Sequence, residues 1–252
     1  MSSVIHRLET VGSTNDHLKM LAERGADGET AVVATVQTAG RGRHGRRWES
    51  VEGGSIFASV LYRPRAVSAS LASLTLDVAT AVAGALSDLG FSIGLEWPND
   101  LVAEGRKLGG ILCELHTHGT LPFIVIGVGV NGNVAPSAFP ASLASLATSL
   151  QILGGARVNV EQVTDRLVEA VREACRAFDG RGRADIAAYV AQTASIGRRV
   201  TTLGGRAGTV DAIADDGALV VRFDDAKALE SVRAGMVTHQ PEARLDLDPP
   251  RE

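Results

Sequence analysis

Gln37-Thr38-Ala39-Gly40-Arg41-Gly42-Arg43-His44-Gly45-Arg46-Arg47-Trp48 carries three glycines, four arginines, a histidine and a tryptophan from Gly40 onward, with no aliphatic side chain to anchor it in a core. Ahead of it runs a β-branched segment, Thr30 to Gln37, and behind it an apolar one, Ser55 to Tyr62. The stretch therefore reads as a polar loop interrupting a sheet. Glycines let a backbone close round a ligand, and guanidinium forks bind phosphate oxygens in pairs and stack on flat rings. The reading is a mobile anion clamp, cheap to leave disordered when empty and ordered by phosphate charge when filled.

Two other readings compete. Gly40-x-Gly42-x-x-Gly45 matches the dinucleotide fingerprint, which also needs a helix after the loop and an acid about 20 positions on. Here Gly53-Gly54 follow, no helical period starts, and Tyr62 stands near the acid's place. An RNA-binding arginine-glycine segment would repeat and belong to a basic chain. This one occurs once, in a chain of formal charge −4.

The 252 residues, 45% hydrophobic and 21% charged, suit a large globular domain with a smaller one. The acidic balance excludes a general nucleic-acid or membrane-surface binder, so an anion site must be local. Cys113 and Cys175 lack a neighbouring thiol at metal or redox spacing and read as reduced core residues. The amino terminus shows no signal-peptide pattern and no stretch reads as a bilayer span, so a cytoplasmic protein is expected.

Ser13-Thr14-Asn15-Asp16 precedes Leu18, Leu21 and Ala22 at helical spacing, with Gly25 to stop the helix. Ser13 and Asp16 fit a capping box, so on spacing alone these side chains serve the helix itself. Leu71, Leu74, Val78, Val82, Ala85 and Leu89 mark a scaffold helix. A strand near Phe91 to Leu95 leads to Glu96-Trp97-Pro98-Asn99-Asp100, a strand end displaying two polar side chains. Arg106 to Leu115 is a strand opening with two cations and carrying Gly109-Gly110, glycines that mark a close approach, with a ligand as candidate. His116-Thr117-His118-Gly119 reads as a solvated hairpin turn rather than a metal site. Phe123 to Val130 is a further strand, broken by Gly127 and Gly129 and ending at Asn131. If these strands share one sheet, Lys107, Asn99, Asp100, Asn131 and the arginine loop line one groove.

Val160, Val163, Leu167, Val171, Ala174 and Phe178 form a helical stripe that Asn159 can cap with Gln162, and Ile186 to Ala194 reads as one more helix. From Ile196 come short β runs, Arg199 to Leu203, Ala207 to Ala214, Ala218 to Phe223 and Leu229 to Val232, read as a small β-barrel. Residues 241 to 252 read as a disordered tail.

Ser13-Thr14-Asn15, the Gln37 to Trp48 stretch, Trp97-Pro98-Asn99-Asp100, Arg106-Lys107-Leu108-Gly109-Gly110-Ile111-Leu112 and Gly127-Val128-Gly129-Val130-Asn131 occur in the order and approximate spacing of biotin protein ligases, which the chain resembles over some 120 residues and more loosely to about residue 240. The resemblance implies an α+β fold: a mixed sheet flanked by helices, of the class II aminoacyl-tRNA synthetase-like, biotin/lipoate ligase type, over residues 1–195. A small SH3-like barrel is implied over 196–240. It implies that biotin is joined to ATP as biotinyl-5′-AMP with release of pyrophosphate, then passed to a lysine of a biotin carboxyl carrier domain.

By the same resemblance Ser13, Thr14, Asn15, Gln37, Gly40, Arg41 and Gly110 line the biotin slot. Arg43, His44, Arg46, Arg47, Trp48, Asn99 and Asn131 face the nucleotide. Lys107 lies between biotin's carboxylate and the α-phosphate, and Asp100 orients or deprotonates the carrier lysine. Mg²⁺ accompanies ATP near Asn131, no tightly bound cofactor is implied, and homodimerisation is left open. The family's usual cation before Trp-Pro-Asn-Asp is replaced by Glu96, which can be tolerated by pairing with a nearby cation. With the Ser-Thr-Asn motif at residue 13, a monofunctional ligase without DNA-binding domain is expected. The rival readings are a lipoate or octanoyl transferase on the same fold and a non-catalytic RNA- or partner-binding module.

Overall fold

The computed structural model describes residues 4–48, 54–117, 121–202, 204–233 and 237–239. The expected tail at 241 to 252, and His118-Gly119 of the expected turn, lie outside these residues.

Seven strands form one mixed sheet: β1 (Ile5–Val11), β2 (Ala31–Gln37), β3 (Ser55–Tyr62), β4 (Gly94–Glu96), β5 (Asp100–Ala103), β6 (Arg106–His116) and β7 (Phe123–Asn131). Their spatial order is β1-β2-β3-β7-β6-β5-β4. β1 and β2 run parallel, joined through helix α1 (Thr14–Glu23), and the other neighbours are antiparallel. The loop read from sequence is the connection between β2 and β3, which are adjacent.

Period-two alternation decides which residues reach the site. Along β7, Ile124, Ile126, Val128 and Val130 join the main core, as do Ile56, Ala58, Val60 and Tyr62 of β3. That face is covered by α2 (Leu74–Asp88), which follows a 3₁₀ turn at Ala69–Ser73, and by α4 (Val160–Arg181). The intervening residues, Ser55, Phe57 and Ser59 opposite Asn131, Gly129 and Gly127, point to the other face. There α1 packs Leu18 and Ala22 on Val32, Leu61, Phe123 and Val125, leaving the rest open as a groove. Asn159 caps α4 by accepting from the Gln162 N–H at 3.1 Å, as its position suggested.

The helical stretch Ala69–Asp88 is long and apolar enough to cross a membrane by length and composition, contrary to the expectation that no stretch reads as a bilayer span. Its buried residues are spent on the core: Leu74, Val78, Val82 and Leu86 are fully buried. Cys113 and Cys175 are free, and burial pushes both thiols up, Cys113 to about 11.

Two further helices are short, α3 (Leu150–Gly154) and α5 (Ile186–Val190). The expected helix to Ala194 stops early because the chain is captured by the edge of β4. Leu95 N–H donates to Gln192 O at 2.9 Å, and Ala194 N–H to Leu95 O at 2.7 Å. Beyond it β8 (Arg199–Thr202), β9 (Ala207–Ile213), β10 (Leu219–Phe223), β11 (Leu229–Val232) and β12 (Val237–His239) form an antiparallel sheet, order β11-β10-β9-β8-β12. Among the described residues this sheet is open, with β11 and β12 at its edges, rather than the closed barrel the short β runs suggested. Its Val200, Val210, Leu219, Val221 and Phe223 belong to the same apolar cluster as the main sheet. Trp97 joins the two, its Nε1–H donating to Gly217 O at 2.9 Å.

Candidate active site

A groove of about 820 Å³ runs along the open face of the sheet, from the start of α1 to the segment 138–147. Every residue expected to bind or react lines it except Gly40.

The floor depends on an irregularity. Lys107 and Gly110 are three positions apart, so in a regular strand they would face opposite ways. The β5–β6 register shifts between Leu101 and Val102: Val102 stands opposite Lys107 but Leu101 opposite Gly109, so Leu108 is the extra residue of a bulge. Lys107 and Gly110 thereby share the face of Asp100. Lys107 Nζ donates to Asp100 Oδ2 at 2.6 Å. Asp100 itself begins β5 after a tight turn from β4 that includes a cis Trp97-Pro98 bond, where the sequence suggested only a strand end.

The glycines divide by face. A Cβ on Gly110 would meet Asp100 Oδ1 at 3.3 Å, so this position does border the groove. Gly109, in contrast, is close to the chain itself: a Cβ there would lie 2.5 Å from Gly129 O. Gly127 lies under the Asn15 side chain and Gly129 under the Trp48 ring, where a Cβ would stand 3.3 Å from the ring atoms. Protein side chains, rather than a ligand, fill the space over these two.

At the α1 end, Ser13 is the N-cap by backbone angle, yet its side chain makes no capping hydrogen bond, which removes the capping-box reading. Thr14 donates its N–H and its hydroxyl to Gln37 Oε1, at 2.7 and 3.0 Å. Asn15 Nδ2 donates to Glu114 Oε2 at 2.7 Å, which fixes the amide's orientation and turns Oδ1 to the Ser59 hydroxyl at 2.6 Å. Ser59 also lies 2.8 Å from Thr14 Oγ1, so its one proton serves either oxygen.

Over the groove the arginine loop closes as a small hairpin of its own. Trp48 N–H donates to Gly40 O at 3.0 Å and Gly42 N–H to Arg46 O at 2.7 Å, with His44 and Gly45 at positive φ in the turn. Arg41 is held by both oxygens of Asp16 and lies 3.4 Å from Glu114 Oε1. Arg43 Nη1 donates to Asn99 Oδ1 at 3.1 Å, while Asn99 Nδ2 donates to Ile111 O. Burial lowers the Arg43 pKa from its usual value. Trp48 faces Lys107 Nζ, 5.9 Å from the ring centre, and its buried Nε1–H has no hydrogen-bond partner among the described residues. Asn131 is buried, its Nδ2 donating to Thr148 O at 2.9 Å.

Sequence reasoning missed Ser59 and Glu114, which fix Asn15 in the slot without a motif of their own, and read Asp16 only as part of a cap. It also passed over residues 138–147, whose Phe139, Pro140 and Leu143 wall one side. The apolar run after Asn131 was the available signal. Lys107 N–H donates to Leu146 O and Thr148 N–H donates to Lys107 O, so this segment is tied to the lysine's backbone. Glu96 pairs with Arg198 at 3.6 Å, both side chains mostly buried.

A basic hairpin thus lies over a mixed sheet, with Lys107 of the bulged strand β6 paired to Asp100 of β5 beneath it. Residues 8–131 match the biotin/lipoate A/B protein ligase family. The biotin--[acetyl-CoA-carboxylase] ligase of Paracoccus denitrificans is 33% identical over 233 residues, 85% of this chain and 92% of that protein. The bifunctional ligase/repressor BirA of Bacillus subtilis is 36% identical over 153 residues, 60% of this chain; the match spans only 47%, about half, of that longer protein. The biotin protein ligase of Aquifex aeolicus in complex with biotin and ATP superposes with a TM-score of 0.82 at 25% identity, covering 96% of this chain and all of that one. The chain belongs to the biotin protein ligase family.

Proposed function

We propose that this protein activates biotin with ATP to biotinyl-5′-AMP, releasing pyrophosphate, and then transfers biotin to a lysine of a biotin carboxyl carrier domain. The observation that carries the reading is Lys107 paired with Asp100 in the one groove that also holds the Thr14–Gln37 contact and the Arg43–Asn99 contact.

A carboxylate acylates poorly until it carries a good leaving group, and bringing it against a phosphate requires neutralising several negative charges. Arg43, Arg46 and Arg47 line the groove for that purpose, whereas Arg41 is already neutralised by Asp16 and Glu114. In this reading biotin's ureido ring lies by Ser13, Thr14 and Gln37, its carboxylate reaches Lys107, and Lys107 exchanges Asp100 for the oxygens on which charge builds. The carboxylate oxygen bonds to the α-phosphorus as the bond to pyrophosphate breaks. In the second step the carrier amine attacks the acyl carbon, and AMP leaves with the bonding pair. Asp100 Oδ2 holds Lys107, and Oδ1, beside Gly110, is placed to orient the amine or take its proton. Trp48, over Gly129, is a flat surface for adenine.

Mg²⁺ enters as part of the nucleotide substrate. Among the described residues no three His, Cys, Asp or Glu side chains form a metal-binding group. The groove's two carboxylates, Glu96 and Asp100, are each paired with a cation. The donor set suits an ion that arrives on phosphate oxygens, with Asn131 the amide expected to help. Residues 1–195 make up the catalytic unit in this reading, and the five short strands that follow make up an SH3-like unit backing Trp97. A cytoplasmic setting, with a biotin-dependent carboxylase as partner, goes with it.

The test is pyrophosphate release with ATP and Mg²⁺, comparing biotin, lipoate and neither, without carrier. About one equivalent per site with biotin alone is expected, as a tightly held intermediate stops turnover. Release with lipoate would move the substrate to the sister class, and none with either would overturn the reading.

A further inference from the structure

Asp16 lies outside the wall of the groove and yet holds the loop that covers it. Its two carboxylate oxygens receive Arg41 Nη1 and Nη2, the second at 2.7 Å, a fork-to-fork pairing that fixes both side chains in one orientation. Arg41 is further drawn to Glu114 Oε1 at 3.4 Å, and Glu114 Oε2 receives Asn15 Nδ2 at 2.7 Å. The contact is felt at both ends: the Arg41 hydrogen bond holds the Asp16 carboxyl below its ordinary value, and Asp16 raises the guanidinium.

The other two attachments of the hairpin, Arg43 on Asn99 and Trp48 over Gly129, are made by groove-lining residues, so a ligand must compete with them or rest on them. The attachment at Asp16 differs in that only its Arg41 end lines the groove, while Asp16 is an exposed residue of α1 outside the lining. We infer that Asp16 is a positioning residue for the arginine hairpin, keeping its first limb closed on α1 whether the groove is empty or filled. The guanidinium groups beyond it then need less ordering when a ligand arrives, which slows release without changing the chemical step. The inference rests on the proposed biotin reading only where release of the adenylate is measured.

Two variants test it, Asp16→Asn, which removes the charge, and Asp16→Glu, which keeps it. First, the full ligand-free chain is digested with trypsin, and cleavage after Arg41, Arg43, Arg46 and Arg47 is followed by mass spectrometry. Asp16→Asn is expected to be cut about fivefold faster there. Asp16→Glu should be cut at the unaltered rate, with both variants melting within about 2 °C of the unaltered chain. Second, protein charged with biotin and ATP is diluted, and escape of the adenylate is timed. Asp16→Asn should release it about fivefold faster, with an unchanged pyrophosphate burst.

Cutting of Asp16→Asn at the unaltered rate overturns the inference. So does a large loss of melting temperature that Asp16→Glu shares, which would mark an ordinary contribution to α1. Faster cutting of Asp16→Asn in a protein whose unaltered form gives no biotin-dependent burst keeps the anchor and removes the biotin reading instead.

Discussion

Gly127→Ala is expected to damage the biotin end of the groove through one side chain. The new Cβ would fall on Asn15, 3.0 Å from its Cγ and 3.1 Å from its Nδ2, and Asn15 is only 5% exposed. It is also fixed from two sides, by Ser59 Oγ at 2.6 Å and by Glu114 Oε2 at 2.7 Å. Relieving the overlap means breaking those bonds, about 1 kcal/mol for the neutral one and about 2 kcal/mol for the one to a carboxylate. Alanine regains about 0.5–1 kcal/mol over glycine within a strand. A net loss near 2 kcal/mol follows, or about 4–8 °C in melting temperature for a chain of this size. Because Asn15 itself lines the groove, biotin affinity should fall about tenfold, an additional sign that the effect is local. Calorimetry gives both numbers. The decisive comparison is the cycle with Asn15→Ala. With the obstructing side chain gone, Gly127→Ala should cost almost nothing, so the two changes must be strongly non-additive. Strict additivity, or a Gly127→Ala protein with unchanged melting, would refute the account of why this strand carries glycine on its site face.

Lys107→Ala should lower the rate of pyrophosphate release by about 10²–10³ while leaving melting nearly unchanged, since the side chain is half exposed; a pre-steady-state burst assay reads it. Arg43→Gly should leave adenylate formation partly intact but speed its escape about tenfold, as the contact with Asn99 and a guanidinium over the phosphate go together; dilution of the preloaded protein measures this. Glu96→Lys should destabilise by about 1–2 kcal/mol, because it sets a second cation against the largely buried Arg198. It should not raise turnover; an increase of orders of magnitude would mean that Glu96 disables the site.

The polar loop, the long core helices, the Asn159 cap and the strands bearing the motifs were legible because each rests on local spacing. In β7 the pattern Gly127-Val128-Gly129-Val130-Asn131 states its own two faces, apolar on the even positions and bare or polar on the odd ones. The resemblance of five ordered motifs added which side chains gather round the ligand. Local spacing could not give the partners that fix them. Asp16 and Arg41 are far apart in the chain, Asn15 and Glu114 farther still, and only the packing of α1 on the sheet makes them neighbours. Ser13 looked like a cap because that pattern is usually a cap, and here the fold turns the side chain to the groove instead. Short β runs announced a carboxy-terminal sheet, but closure depends on how its edges meet, which no run of residues encodes by itself. The clearest case is Lys107 with Gly110. By sequence alone their odd separation puts them on opposite faces, and it is the extra residue at Leu108, a bulge chosen by pairing with β5, that turns both toward Asp100.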